Sequence, residues 1–181
     1  MIKFDFSRNY FELFGLEVLF QIDDALLVGN YQKMQSEFHP DRYVDGDEQQ
    51  KRMAMQATTY INEAYKTLRD DQSRARYMLE LQGLHFDVEK DTTQDMEFLM
   101  SQMNLREQID EVDSKDDPLD CLDELSSQSR KDKKNLILAF QEHYLAQRWD
   151  EAKEIVLKLQ FFTRLQQQIN QKQEALEEQL M

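Results

Sequence analysis

The sequence predicts an all-α fold in two parts, a helical hairpin followed by an antiparallel three-helix bundle. Three observations lead there. Only four glycines and two prolines interrupt 181 residues, well below the roughly 7% and 5% of average usage. Leu, Gln, Glu, Met and Lys, all good helix formers, dominate the rest. No run of alternating β-branched residues offers a strand. The predicted boundaries are a first domain over 1–82, a linker over 83–92 and a second domain over 93–181.

The elements follow in order. "NYFELFGL" is a short apolar turn stopped by Gly15, since glycine accepts the left-handed conformation that ends helices. Asp23 and Asp24 cap a helix that runs to about Phe38, because a carboxylate there accepts from the free backbone N–H groups. Leu27, Tyr31, Met34 and Phe38 recur at helical spacing and define its buried face. Pro40 ends it, since the residue before a proline avoids the α region. "DGDE" at 45–48 makes a turn and places acids at the next N-terminus. That helix reaches about Arg69, with Ala57, Ile61, Ala64 and Leu68 on its seam and Tyr60 and Tyr65 beside it. So short a connection predicts antiparallel packing. A further helix spans about Gln72–Leu81 and stops at Gly83.

Periodicity lapses through "GLHFDVEKDTT", where Asp91 or Thr92 is expected to cap the next helix. That helix covers about Thr93–Val112, "DSKDDP" breaks it, and two more follow over about Leu119–Gln147 and Asp150–Leu180. Trp149 is expected to staple the turn between them.

The formal charge is −14, of which residues 84–181 carry −10. Such a chain repels phosphate backbones, which argues against nucleic acid as a ligand. No stretch approaches the ~20 apolar residues of a membrane span. "MIKFDFSRNYFELFGL" contains acids and no uninterrupted apolar run, so it does not read as a secretory signal. Cys121 is the only cysteine and can close no internal disulfide. These features lead us to expect a cytoplasmic protein. No Asp, Glu or His cluster has metal-site spacing, and no cofactor motif is present.

Two patterns bear on function. The first is "HPD" at the hairpin turn, His39-Pro40-Asp41. Read from the residues alone, it is a catalytic pair, an ordinary Asx-type turn or a contact surface. Catalysis needs a pocket, a nucleophile or a metal, and the tip of a small hairpin supplies none of these. The second pattern lies on the helix of residues 96–112. On a wheel at 100° per residue, Phe98, Leu105, Ile109 and Val112 fall within about 60°. Met96, Leu99, Met100 and Met103 fall nearly opposite, and Glu107 and Glu111 extend that second stripe. A bundle helix needs one apolar face. The first stripe lacks charge and is the core candidate. The second is expected to be exposed, unless a neighbouring helix covers it, and Met suits an adaptable partner surface.

HPD at a helix–helix turn, preceded by "NYFELFGL" and followed by "INEAYKTL", resembles a J-domain. With an acidic bundle behind it and "FLMSQMNLREQIDE" at 98–111, the whole chain is similar to the HscB family of iron–sulfur co-chaperones. The resemblance implies a non-enzymatic protein with two partners. His39, Pro40 and Asp41, supported by Lys33 and Arg42, would contact the ATPase domain of a DnaK-type (HscA) chaperone and stimulate ATP hydrolysis there. Leu99, Met100, Met103, Glu107 and Glu111, with Phe161 of the last helix, would dock an IscU-type iron–sulfur scaffold. On its own wheel Phe161 lies about 100° from the seam of Ile155, Leu159, Phe162 and Ile169, which suits an outward role. There are two departures from the family pattern. The helix before HPD carries only Lys33 as a base, and Asn104 stands where an acid is expected.

Overall fold

The computed structural model describes residues 3–88 and 90–180, with side chains as far as Glu178. The described residues are helical or irregular, and the chain divides into two compact units, Met1–Met78 and Leu79–Met181.

In the first unit, α1 (Tyr10–Leu13) opens with a capping box. The Asn9 side chain accepts from the Glu12 N–H, and the Glu12 carboxylate accepts from the Asn9 N–H. Gly15 at φ +64° closes it, with the Leu16 N–H donating to the Phe11 carbonyl at 2.9 Å. Helix α2 (Asp24–Phe38) is capped by Asp23, and α3 (Glu48–Arg69) by Asp47. Tyr31 stacks on Tyr65 at 3.9 Å, whereas Phe38 meets Thr58. Numbers rise along one helix as they fall along the other, so the pair is antiparallel. Ala54, Ala57 and Ala64 alternate with Ile61 and Leu68 on the buried face of α3, opposite Leu27 and Phe38. Small residues let the helices approach closely, while each buried Leu or Ile contributes about 1.5–3 kcal/mol.

Helix α4 (Asp71–Glu80) turns off α3 at a corner held by Arg74. Its buried guanidinium donates to the Leu68 carbonyl and to Asp71 at 2.7 Å, and lies over the Phe20 ring at 4.5 Å. Gly83 at φ +85° provides the stop after α4.

The second unit contains α5 (Met96–Asp110), α6 (Pro118–Leu145) and α7 (Trp149–Leu180). Pairings fix their directions. Ser126 bonds Gln166 and Asp123 bonds Gln173, so α6 and α7 are antiparallel. Asp95 pairs with Lys158 and Asp113 with Lys172, so α5 runs parallel to α7. This is the antiparallel three-helix bundle expected from the sequence. Its core includes Ile109, Val112, Leu122, Leu125, Phe162, Leu165 and Ile169. Trp149 packs edge-on against Tyr144 at 5.4 Å, as expected of a turn staple.

One cap differs from expectation. Asp95, not Asp91 or Thr92, accepts from the Phe98 N–H and starts α5. The two expected caps are otherwise placed. Asp91 is bound to Lys153 at 3.3 Å, and Thr92 precedes Thr93, a buried residue whose hydroxyl donates to Glu154 at 2.7 Å. Tethering this segment to α7 delays the helix by a turn.

Candidate functional site

The HPD loop is built by hydrogen bonds around a proline. Pro40 opens a 3₁₀ turn over Pro40–Tyr43, which fixes the chain immediately after α2. A helix end leaves its last carbonyls without partners, and here three successive ones are taken by side chains, two from the turn itself and one from α3. Arg42 donates to the Ser36 carbonyl at 3.1 Å, Tyr43 to that of Glu37 at 2.9 Å, and Thr58 to that of Phe38 at 2.8 Å. Gly46 completes the return to α3, where a Cβ would come within 2.6 Å of Gln50 Oε1.

Within this frame the Asp41 N–H donates to His39 Nδ1 at 3.2 Å. Nδ1 is thereby the acceptor toward the loop backbone. Asp41 Oδ2 stands 3.6 Å from the same Nδ1, a contact that becomes an ion pair only when the ring takes a second proton. The two side chains are 49% and 86% exposed. Asp41 is therefore free to receive a cationic donor from outside, the stronger class of hydrogen bond. Lys33 is exposed on α2, six residues before His39, or about 9 Å along the axis. Arg42 lies at the loop and braces it, and so do Tyr43 and Thr58, which the sequence does not single out. Their signal lies in no motif, because Thr58 reaches the loop only through the antiparallel register of α3.

On α5 the two stripes separate as the wheel suggests. Ile109 and Val112 are buried and Phe98 and Leu105 partly so. Met96, Met100 and Met103 are 68%, 64% and 70% exposed, Glu107 and Glu111 are exposed beyond them, and Leu99 is half-buried at the edge. The N-terminus of α5 is held by Asp95. The ammonium of Lys158 at 2.6 Å, then the Phe98 N–H, keep its carboxyl below the usual carboxylate range.

Phe161 departs from the expected orientation. It is only 6% exposed and belongs to the core, edge-on to Phe98 at 5.8 Å and to Phe162 at 5.2 Å. The reason is geometric. Helix α7 packs against both α5 and α6, so it buries two faces. The seam toward α6 is the one the wheel found, and Phe161, with Leu157 and Leu165, forms a second face that is also buried.

Among the described residues, no group of three His, Cys, Asp or Glu side chains is arranged to hold a metal ion. Nor is any of their helices long and apolar enough to cross a membrane.

Comparison with known proteins agrees with this architecture. A family model described as "HSCB C-terminal oligomerisation domain" matches residues 94–170. The Co-chaperone protein HscB homolog of Vibrio cholerae serotype O1 (strain M66-2) is 38% identical, across 96% of this chain and 99% of that relative. The solved structure of chaperone HscB from Vibrio cholerae superposes with a TM-score of 0.84 at 34% identity, covering 96% of this chain and 100% of that one. Human co-chaperone protein HscB gives a TM-score of 0.84 at 28% identity, covering 93% and 83%. The Jac1 co-chaperone of Saccharomyces cerevisiae shares the fold, with a TM-score of 0.69 at 21% identity over 92% and 95%. A hairpin with an ordered, outward HPD turn, an acidic helix bundle and identity of this extent over nearly the whole length lead to one conclusion: this chain belongs to the HscB family of J-domain co-chaperones.

Proposed function

We propose that this chain binds an IscU-type iron–sulfur scaffold on the exposed face of α5 and presents that scaffold to a DnaK-type (HscA) chaperone, whose ATPase it stimulates through the HPD loop. In this reading residues 1–82 act as the J-domain, 83–92 as the linker and 93–181 as the scaffold-binding domain.

The observation that carries the reading is the stripe of Met96, Met100 and Met103, exposed on a helix whose other side fills a core. These three exposed methionines lie outside the core, and they run into two carboxylates, Glu107 and Glu111. Such a face suits an apolar patch ringed by bases. Leu99 edges this face, and Phe161 acts beneath it as support, since it is buried. At the other site Asp41 would pair with a base of the chaperone, His39 and Pro40 would shape the loop, and Lys33 and Arg42 would add positive charge. The single cysteine fits a reducing, cytoplasmic compartment.

Two measurements test the reading. Asp41→Asn, compared with wild type in a chaperone ATPase assay, is expected to lower stimulation about tenfold, the value of one charge-assisted bond. Met103→Ala is expected to raise the scaffold dissociation constant about fivefold or more, as for a central contact residue, with helicity unchanged by circular dichroism. Equal stimulation by Asp41→Asn would refute the loop assignment. An unchanged scaffold affinity would refute the face, leaving a J-protein with a different client.

A further inference from the structure

Beside the methionine face lies a small polar cleft of about 120 Å³, walled by α5, α7 and the segment before α5. Two guanidinium groups line it, Arg106 from α5 and Arg164 from α7. Both are exposed, and each has one contact that orients it. Arg106 lies over the Phe161 ring at 5.6 Å. Arg164 Nη2 donates to Gln160 Oε1 at 2.8 Å, in the amide orientation that also lets Gln160 donate to the Val88 carbonyl.

Neither arginine has a carboxylate partner among the described residues. The chain carries a charge of −14. Three lysines of the same α7, Lys153, Lys158 and Lys172, are each paired with an aspartate at 3.3, 2.6 and 2.6 Å. Asp91 also borders the cleft, but it is the carboxylate that Lys153 already neutralises. The cleft thus brings together two guanidinium groups that have no ion-pair partner among the described residues of an acidic unit.

Two guanidinium forks match the planar geometry of a carboxylate. The volume of about 120 Å³ accommodates the head of an acidic side chain. Leu99 is shared between the cleft wall and the methionine face, so a protein seated on that face would reach the cleft directly. A free anion would first have to approach a strongly acidic chain. A carboxylate already tethered to a docked partner would not bear that cost.

We propose that Arg106 and Arg164 receive an Asp or Glu side chain of the partner bound on α5, and that this contact fixes the partner's register. The inference rests on the scaffold reading given above. It adds a requirement of opposite sign. Glu107 and Glu111 ask for bases, while the cleft asks for an acid a short distance away. A surface that is merely basic satisfies the first and leaves two arginines unpaired, so the pair discriminates as well as attracts.

The test is scaffold affinity by calorimetry for wild type, Arg106→Gln, Arg164→Gln and Met103→Ala, with thermal melts of each. Each glutamine variant is expected to bind roughly tenfold more weakly with its melting temperature unchanged. Arg164→Glu is expected to be rescued by changing one particular acid of the scaffold to Lys. If Met103→Ala weakens binding while both glutamine variants bind as wild type, the cleft assignment is overturned and the face stands. If Met103→Ala also binds as wild type, the face itself fails and the cleft falls with it. Affinity lost only in proportion to lost folded protein would reduce the arginines to a structural role. Free glutamate shifting the arginine side-chain resonances in the absence of scaffold would overturn the assignment to a partner side chain.

Discussion

Gln147 holds φ at +57°, the left-handed conformation that side chains resist. It occupies the position just past α6, where the Gln147 N–H donates to the Tyr144 carbonyl and the Arg148 N–H to that of His143 at 2.9 Å. Gly15 and Gly83 fill the same conformational niche after α1 and α4 without penalty. Gln147→Gly is therefore expected to stabilise the protein by about 0.5–1 kcal/mol and to raise Tm by about 1–4 °C. A fall in Tm would mean that the Gln147 side chain contributes more than its backbone strain costs. Thr58 is the complementary case, where a side chain serves a distant element. Its hydroxyl satisfies the Phe38 carbonyl, so Thr58→Val leaves a helix end short of one donor next to the HPD turn. The expected cost is about 1 kcal/mol, read by denaturant unfolding. Chaperone stimulation is expected to drop as well, although the motif itself is intact.

At the scale of elements, α5 is held to α7 by two means. Phe98, Leu105 and Ile109 supply apolar contact with the bundle core. Three ion pairs, Asp91–Lys153, Asp95–Lys158 and Asp113–Lys172, supply the rest. Asp95 is both a helix cap and a salt-bridge partner, and its folded carboxyl lies below the ordinary value of 3.8. A depressed carboxylate stabilises the folded state above its unfolded pKa, and that contribution is lost as pH falls through the folded value. The attachment of α5 should therefore be unaffected at neutral pH and should loosen below about pH 4. Asp95→Asn keeps a capping side chain but removes the charge, so its melting curve should lie below wild type at pH 7 and converge with it in acid. Parallel curves over that range would show that Asp95 acts as a cap alone. Much of this scale was legible in the sequence. Asp23 announced α2, Pro40 ended it, and "DSKDDP" marked the break between α5 and α6. The start of α5 was not legible, because Thr93 and Asp91 are engaged by α7, more than sixty residues away. Phe161 was misplaced for a related reason. A wheel measures the angle between side chains on one helix, but it cannot count how many neighbours that helix has.

For the whole molecule the consequence is separation and coupling. The HPD loop belongs to one compact unit and the α5 face to the other, and one chain joins them. His39→Gln should therefore leave scaffold affinity at the wild-type value while abolishing stimulation. Met103→Ala should leave basal stimulation intact while weakening the scaffold. On the proposed function, coupling would arise because a scaffold held by the bundle travels with its own HPD loop. Flexible tethering of two binding events gives effective concentrations on the order of millimolar, far above those of separate molecules. The expected result is that scaffold raises the stimulated ATPase rate synergistically for wild type. An equal mixture of His39→Gln and Met103→Ala should not reproduce that synergy, even though both intact sites are in the tube. No molecule in the mixture pairs a working loop with a face of full affinity, and assembly in trans lacks the tether. A mixture that matched wild type at low micromolar protein would show that the two sites act independently, and that joining them in one chain serves neither activity.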